Sequence, residues 1–282
     1  MRADGKKLKN IDPMHKIGSY IMNRRTDAMN MVSQDIPLEP MQKYLNEKRK
    51  EGVNLSHMSL FLAAYIRTVS EYPELNRFVV NRQTYAHNDF NVSLVVLKAG
   101  EDFDGTTAKV PLELTDTVFD VNEKMAKFVD ENRNSPENNG TEKLMKALLA
   151  VPGVLTLGVG LFRFMDKYGL LPKSLINVSP FHNSLFISNL ASIRTSHIYH
   201  HCYEFGTTSV FITFGTPREV ARRVGGEIVF EKCMPIGVVM DERITAGSYF
   251  AQALRRLKYY LKNPHLLEQP PETVTPDPGL KK

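Results

Sequence analysis

Tryptophan is absent and cysteine occurs only as Cys202 and Cys233. No apolar run reaches the length of a membrane span. The missing tryptophan says nothing about function. The cysteines have neither CxxC spacing nor company, which excludes a disulfide framework and a cysteine-based zinc site. They read as buried thiols in a reducing cytoplasm. A spanning helix needs roughly 20 predominantly apolar residues. The uncharged stretch Ala147 to Phe162 is shorter and is broken by Pro152, Gly153, Gly158 and Gly160. It therefore reads as a buried helical hairpin or interface element, or else as an insert that touches a membrane or binds an acyl chain. Also missing are GxGxxG after a strand, GxxxxGK[ST], the GxSxG elbow and HExxH, so the common nucleotide-binding, hydrolase and zincin chemistries drop out. The N-terminal Lys6, Lys7 and Lys9 have no apolar stretch behind them, which excludes a secretory signal.

What is present is ordinary globular material. With 282 residues, 42% apolar and 24% charged, the chain can bury a substantial core, and wholesale disorder is excluded. The formal charge of +5 is spread along the sequence rather than clustered, so no nucleic-acid surface is expected.

Periodicity places the main elements. Pro40 to Glu51 reads as a polar helix stopped by Gly52. Met58, Phe61, Leu62, Tyr65, Ile66 and Val69 recur at helical spacing behind Asn54 or Ser56 as N-cap, with Pro73 as terminator. Phe78 to Val80 and Thr84 to Ala86 flank a hairpin turn, and Asn91 to Leu97 is a buried strand. Thr117 to Asn132 is helical, followed by a polar loop to Gly140. Ile17 to Val32 is read as strand or irregular entry. Ser184 to Leu190 and Thr208 to Gly215 are strands. Glu227 to Phe230 and Pro235 to Met240 read as a further pair behind Gly225-Gly226. A last helix from Gly247-Ser248 carries Phe250, Ala253, Leu254, Leu257 and Leu261 on one face and ends at Asn263-Pro264. The expected class is α/β (α+β), a mixed sheet flanked by helices. A solvated basic arm is expected at 1–16, the domain at 17–268 with an apolar insertion at about 141–175, and a mobile proline-rich tail at 269–282.

The densest histidine cluster is His197-Ile198-Tyr199-His200-His201-Cys202. Adjacent residues on a strand face opposite ways and on a helix lie about 100° apart, so His200 and His201 do not readily share an ion, and no metal is expected. They are polar loop residues, or one of them supplies an acid or base.

The most specific stretch is Asp241-Glu242-Arg243-Ile244-Thr245-Ala246-Gly247, between PIGVVM and the helix that ends in NPHLL. It resembles the closing signature D-H-R-x-x-D-G, helix, N-P-x-x-L of the catalytic domain of dihydrolipoyl acyltransferases and chloramphenicol acetyltransferases. MSLFLAAYIRTVSEYPELNR, NVSLVV, FISNL and SVFITFG are similar to further pieces of that family, in its order. The resemblance implies a coenzyme A-dependent acyltransferase fold, a homotrimer, and an active site at the subunit interface where coenzyme A or an acyl-CoA meets the acceptor. It also implies a histidine base in the closing motif and an oxyanion-binding serine, here Ser188.

The departures are informative. Glu242 replaces the histidine and Ala246 the structural aspartate, while Asp241, Arg243 and Gly247 fit. An ordinary glutamate, with a pKa of about 4.3, is a weak base for a thiol of about 8.5, and general-base help is worth about 10² to 10⁴ in rate. Glu242 is thus a base lifted by burial, or a salt-bridging carboxylate for the arginine orphaned at Ala246, Arg24 or Arg25. Ser188 is an oxyanion donor or a strand-end cap. Three functions stay open: a coenzyme A or thioester binder with lost or altered transfer; a noncatalytic trimeric scaffold contacting a protein or membrane through 147–162; and an active enzyme with His200 or His201 as relocated base. No lipoyl carrier is expected on this chain, and a cytoplasmic, free-standing protein with possible peripheral membrane association follows from the whole reading.

Overall fold

The structure, a computed structural model, describes residues 2–97, 105–133 and 153–280. It begins with a strand rather than a loose arm. β1 (Gly5–Lys7) pairs antiparallel with β4 further on, and the buried Arg2 bridges Asp4 at 2.9 Å and Asp166 at 2.6 Å. Asp12 and Pro13 then start α1 (Pro13–Ile21), where a solvated arm to residue 16 and then strand or irregular chain had been expected: the Asp12 carboxylate accepts from the Met14 and His15 amides, and proline suits the first helical position.

β2 (Met29–Pro37) leads into α2 (Leu38–Lys50), and Gly52 follows at φ +84°, a conformation that favours glycine. α3 (His57–Glu71) is capped by Ser56, whose hydroxyl accepts from the Ser59 amide. It is buried on nearly every side, with Thr68 and Ser70 hydroxyls donating to the carbonyls of Ala64 and Arg67 inside the helix. β3 (Arg77–Val80) and β4 (Gln83–His87) turn at Asn81 and Arg82, both left-handed, as a two-residue hairpin turn requires. β5 (Phe90–Leu97), β6 (Gly105–Leu112) and α4 (Val118–Arg133) follow as expected. Of the loop predicted from Asn132 to Gly140, Asn132 and Arg133 belong instead to the end of α4, while residues 134–140, like residues 147–152 of the apolar stretch, lie outside the described residues. α5 (Val154–Lys167) carries the remainder of that stretch, and α6 (Lys173–Val178) comes next.

β7 (Leu185–Asn189) and β8 (Val210–Phe214) run parallel, β9 (Arg218–Val224) and β10 (Glu227–Asp241) form a hairpin, and α7 (Gly247–Lys262) closes the fold. β10 corrects the expected pair of short strands. It is continuous, because its charged first half pairs with β9, a strand too polar to be read from the sequence.

The large sheet runs β2-β10-β8-β7-β5-β6, with β9 on β10 alone, and β1-β4-β3 form a small one. Ile212, Val238, Met240 and Ile187 face α3, α4 and α7 in the main core, while Phe211, Val239 and Phe186 point to the other face. Parallel β7 and β8 need a crossover, and residues 190–209 make it across that second face. The proline-rich tail, expected to be mobile, lies against the body. Asp277 is buried and takes both Nε (2.6 Å) and Nη2 (2.7 Å) of Arg77, and the Thr275 amide donates to the Ser70 carbonyl at 2.8 Å. Among the described residues no helix is long and apolar enough to cross a membrane.

Candidate active site

Strand β10 delivers Asp241 to the start of the closing turn, with its carboxylate fully buried. Oδ1 accepts from the Arg243 Nε at 2.8 Å and Oδ2 from its Nη2 at 2.7 Å, a two-pronged pair. Burial works against the charged guanidinium, but the bonds to Asp241 outweigh it, and Arg243 is held above the usual arginine value. Asp241 Oδ2 also accepts from Arg25 Nε at 3.4 Å. Arg25 is only 2% exposed. Its remaining donors go to the carbonyls of Tyr203, Val79 and Gly206. The arginine expected to lose its mate at Ala246 is therefore paired, with Asp241 as the mate.

Glu242 does not make the expected arginine pair. Its Oε2 accepts from Asn30 Nδ2 at 2.7 Å, and its amide donates to the Ala28 carbonyl at 2.8 Å. Ala246 is the N-cap of α7 with extended backbone and no side chain to accept from the first-turn amides, so the helix N-terminus is uncapped. Gly247 starts the helix.

The other predicted residues lie apart from this turn. Asn30 stands opposite Met240, whose side chain is in the helix-side core, so Glu242 is tied toward that side. The histidine segment crosses the opposite face. His200 stacks on Phe211, ring centroids 4.2 Å apart, and its Nδ1 is 2.9 Å from the His201 carbonyl. Burial lowers its pKa below the ordinary histidine value. His201 is exposed and stacks on His200. Ser188 stands near the end of β7, in register with Thr213.

A pair that the sequence did not reveal joins this row. Thr213 is in register with Gly237, and Gly237 with Ser33. His197 crosses above, its Nε2 3.0 Å from Ser33 Oγ, while its Nδ1 is buried without a partner. A Cβ on Gly237 would run into the Ile198 carbonyl, and one on Gly215 into the His197 amide. Gly237 within β10 and Gly215 just past the end of β8 were the available signal, since a bare position in or beside a strand marks close approach of another backbone.

One cavity opens beside the closing turn, and a second adjoins it. The first, about 580 Å³, is lined by Arg24, Arg82, Arg163 and Lys167 together with Arg25 and Arg243. The second, about 570 Å³, is lined by Val159, Phe162, Leu175, Val178, Phe181 and neighbours, and shares Arg163, Glu204 and Phe205 with the first. Asp166 lines the first cavity, and its partner His182 the second. Asp166 takes Arg2 Nη2 at 2.6 Å, His182 Nε2 at 3.2 Å and the Gly206 amide at 3.2 Å. Burial pushes its carboxyl up, but His182 and Arg2 prevail and hold it at about 2. No cluster of metal-ligating side chains occurs among the described residues.

Solved structures give the fold its relatives. A probable dihydrolipoamide acetyltransferase from Listeria monocytogenes is similar over 92% of this chain and 95% of that one, with TM-score 0.59 and 12% identity. The cubic core of a pyruvate dehydrogenase multienzyme complex gives TM-score 0.59 and 12% identity over 93% of this chain and 94% of that one. A chloramphenicol acetyltransferase gives 0.54 and 12% over 92% of this chain and 100% of that one. No protein-family profile matches the chain, and no curated protein matches it. The fold is that of the coenzyme A-dependent acyltransferases of the chloramphenicol acetyltransferase type.

Proposed function

We propose that this protein, built on the acyltransferase fold, binds coenzyme A or an acyl thioester and does not perform acyl transfer by the family's histidine mechanism. The observation that carries the reading is Glu242. It stands at the position of the resembled histidine with its carboxylate already engaged by Asn30 at 2.7 Å, in a turn whose Asp241–Arg243 scaffold is intact. A turn that keeps its framework and lacks its imidazole suits binding without the ordinary proton transfer. The cavity of about 580 Å³ next to Arg243 supports the binding half, because Arg24, Arg82, Arg163 and Lys167 offer cations to phosphate groups.

Ser188 is kept in this reading as an oxyanion donor. His200, whose pKa burial lowers, keeps a second reading alive, that of a relocated base; its place on the opposite sheet face from Glu242 counts against it. The protein acts as a homotrimer in this proposal. The β9–β10 hairpin supplies a contact surface, since Ile228 (70%) and Phe230 (67%) are exposed on a strand pair that extends beyond the sheet.

Titration calorimetry with coenzyme A and acetyl-coenzyme A, with thiol release followed in the same samples, tests the reading. Binding with background release supports it. Release above background that disappears in His200→Ala or His201→Ala replaces it with the relocated base, and absence of binding with a trimer in solution favours a noncatalytic scaffold.

A further inference from the structure

The apolar segment of α5 is neither buried in the core nor able to span a membrane. Leu157 is 76% exposed, and Val159, Phe162 and Phe164 are also open to solvent. Such a helix is normally held by its apolar face. Here the holding is polar. The buried Asp166, near its C-terminal end, fastens it to Arg2, His182 and the Gly206 amide, and Gly206 at φ +90° has no room for a Cβ against the Phe181 carbonyl. The apolar side of α5 is thus positioned but unfilled, facing α6 and Phe181 across a cavity of about 570 Å³. That volume lies within the range of small-molecule sites, which are about 300–1,000 Å³. At its end the lining changes from phenylalanine and valine to Arg163 and Glu204, and the Glu204 carboxylate accepts from the Arg25 amide at 2.8 Å. Arg163 belongs to both cavities, and Arg24, Arg82 and Lys167 make no ion pair among the described residues.

From this juxtaposition we infer that the two cavities form one site for a single-chain anionic amphiphile, with the acyl chain between α5, α6 and Phe181 and the anionic group among Arg163, Arg24, Arg82 and Lys167. The cations fix the polarity of the ligand: a neutral lipid satisfies the apolar half alone, and a small polyanion the basic half alone. The chemistry is shared by a free fatty acid and by a long-chain acyl thioester of coenzyme A. The inference rests on the preceding proposal only for the second of these sources.

The test is a chain-length series measured by calorimetry on the intact protein below micelle concentrations: hexanoate, octanoate, decanoate and dodecanoate, with 1-decanol, coenzyme A and decanoyl-coenzyme A alongside. Affinity should rise about fourfold per added methylene, as ~0.8 kcal/mol per buried methylene sets, until the cavity is full. Decanol should bind at least tenfold more weakly than decanoate. Phe162→Asp and Val159→Asp change exposed positions and should flatten the chain-length slope with the circular dichroism spectrum unchanged. Arg163→Ala should weaken every anion while keeping the slope. A slope for the alkanoates with no coenzyme A binding sustains this site and refutes the coenzyme reading; coenzyme A binding without a slope does the reverse. No slope in the parent protein, or a slope that survives Phe162→Asp and Val159→Asp intact, overturns the inference.

Discussion

Replacing Asp241 by asparagine isolates the electrostatics of the closing turn. In the parent, one fully buried carboxylate serves two guanidinia, Arg243 at 2.7 and 2.8 Å and Arg25 at 3.4 Å, that are 5% and 2% exposed. Breaking a buried ion pair from one side costs about 3–5 kcal/mol, because the partner charge stays buried and uncompensated. Two features moderate the figure. The amide of Asp241→Asn keeps one acceptor oxygen, and Arg25 keeps the carbonyls of Tyr203, Val79 and Gly206. The expected loss is therefore at the lower end, about 3 kcal/mol, out of the ~5–15 kcal/mol typical of a folded protein. In thermal unfolding this corresponds to roughly 6 °C, at about 2 °C per kcal/mol for a chain of this size. Urea unfolding followed by circular dichroism gives the free energy directly, and Arg25→Met in the Asp241→Asn background should recover part of the loss, since it removes one of the stranded charges. A loss below about 1 kcal/mol, or no recovery in the double variant, would refute the claim that this carboxylate holds the turn together.

Ala246→Ser should stabilise the protein by about 1 kcal/mol by supplying the missing N-cap acceptor to α7, read as a rise in melting temperature; a fall would show that the site has no room for the hydroxyl. His87 gives the pH dependence. Its Nε2 is buried without a partner, and burial lowers its pKa to about 3. The unfolded chain, with histidine near 6.5, binds the proton first, so this contribution is fully present above about pH 6.5 and is lost as pH falls toward 3, at up to ~1.4 kcal/mol per pH unit. His87→Gln should remove that slope from a stability profile between pH 6 and 4, and an unchanged slope assigns it elsewhere. Gly237→Ala should cost about 1–3 kcal/mol by driving a methyl group into the Ile198 carbonyl and displacing His197 from Ser33; an unchanged melting temperature would contradict the close approach.

The site was only partly legible in sequence. Asp241 and Arg243 were singled out together, and their bond is local, two residues apart. Arg25 was one of two arginine candidates, but its mate was not foreseen, because it comes from 216 positions away and is an aspartate that already had a partner. Ser33 carried no signal, since its meeting with His197 depends on which face of the sheet the β7–β8 crossover takes. The N-terminal segment looked solvated for a similar reason: Arg2 and three lysines are basic in composition, yet Arg2 is buried wherever Asp4 and Asp166 converge on it.

What the sequence determined by itself is whatever a local period or a covalent neighbour fixes. The 3.6-residue stripes of α3, α4 and α7, the branched strand β5, a cap at Asn54 or Ser56 and a hairpin turn after Val80 all follow from interactions within a few residues. Tertiary structure decided the pairing of polar β9 with β10, the burial of Arg25, and the alignment of an apolar cavity with a basic one along α5. Those outcomes depend on charges and surfaces from distant segments being desolvated together, and only the closed fold brings them within the few ångströms over which that energy acts.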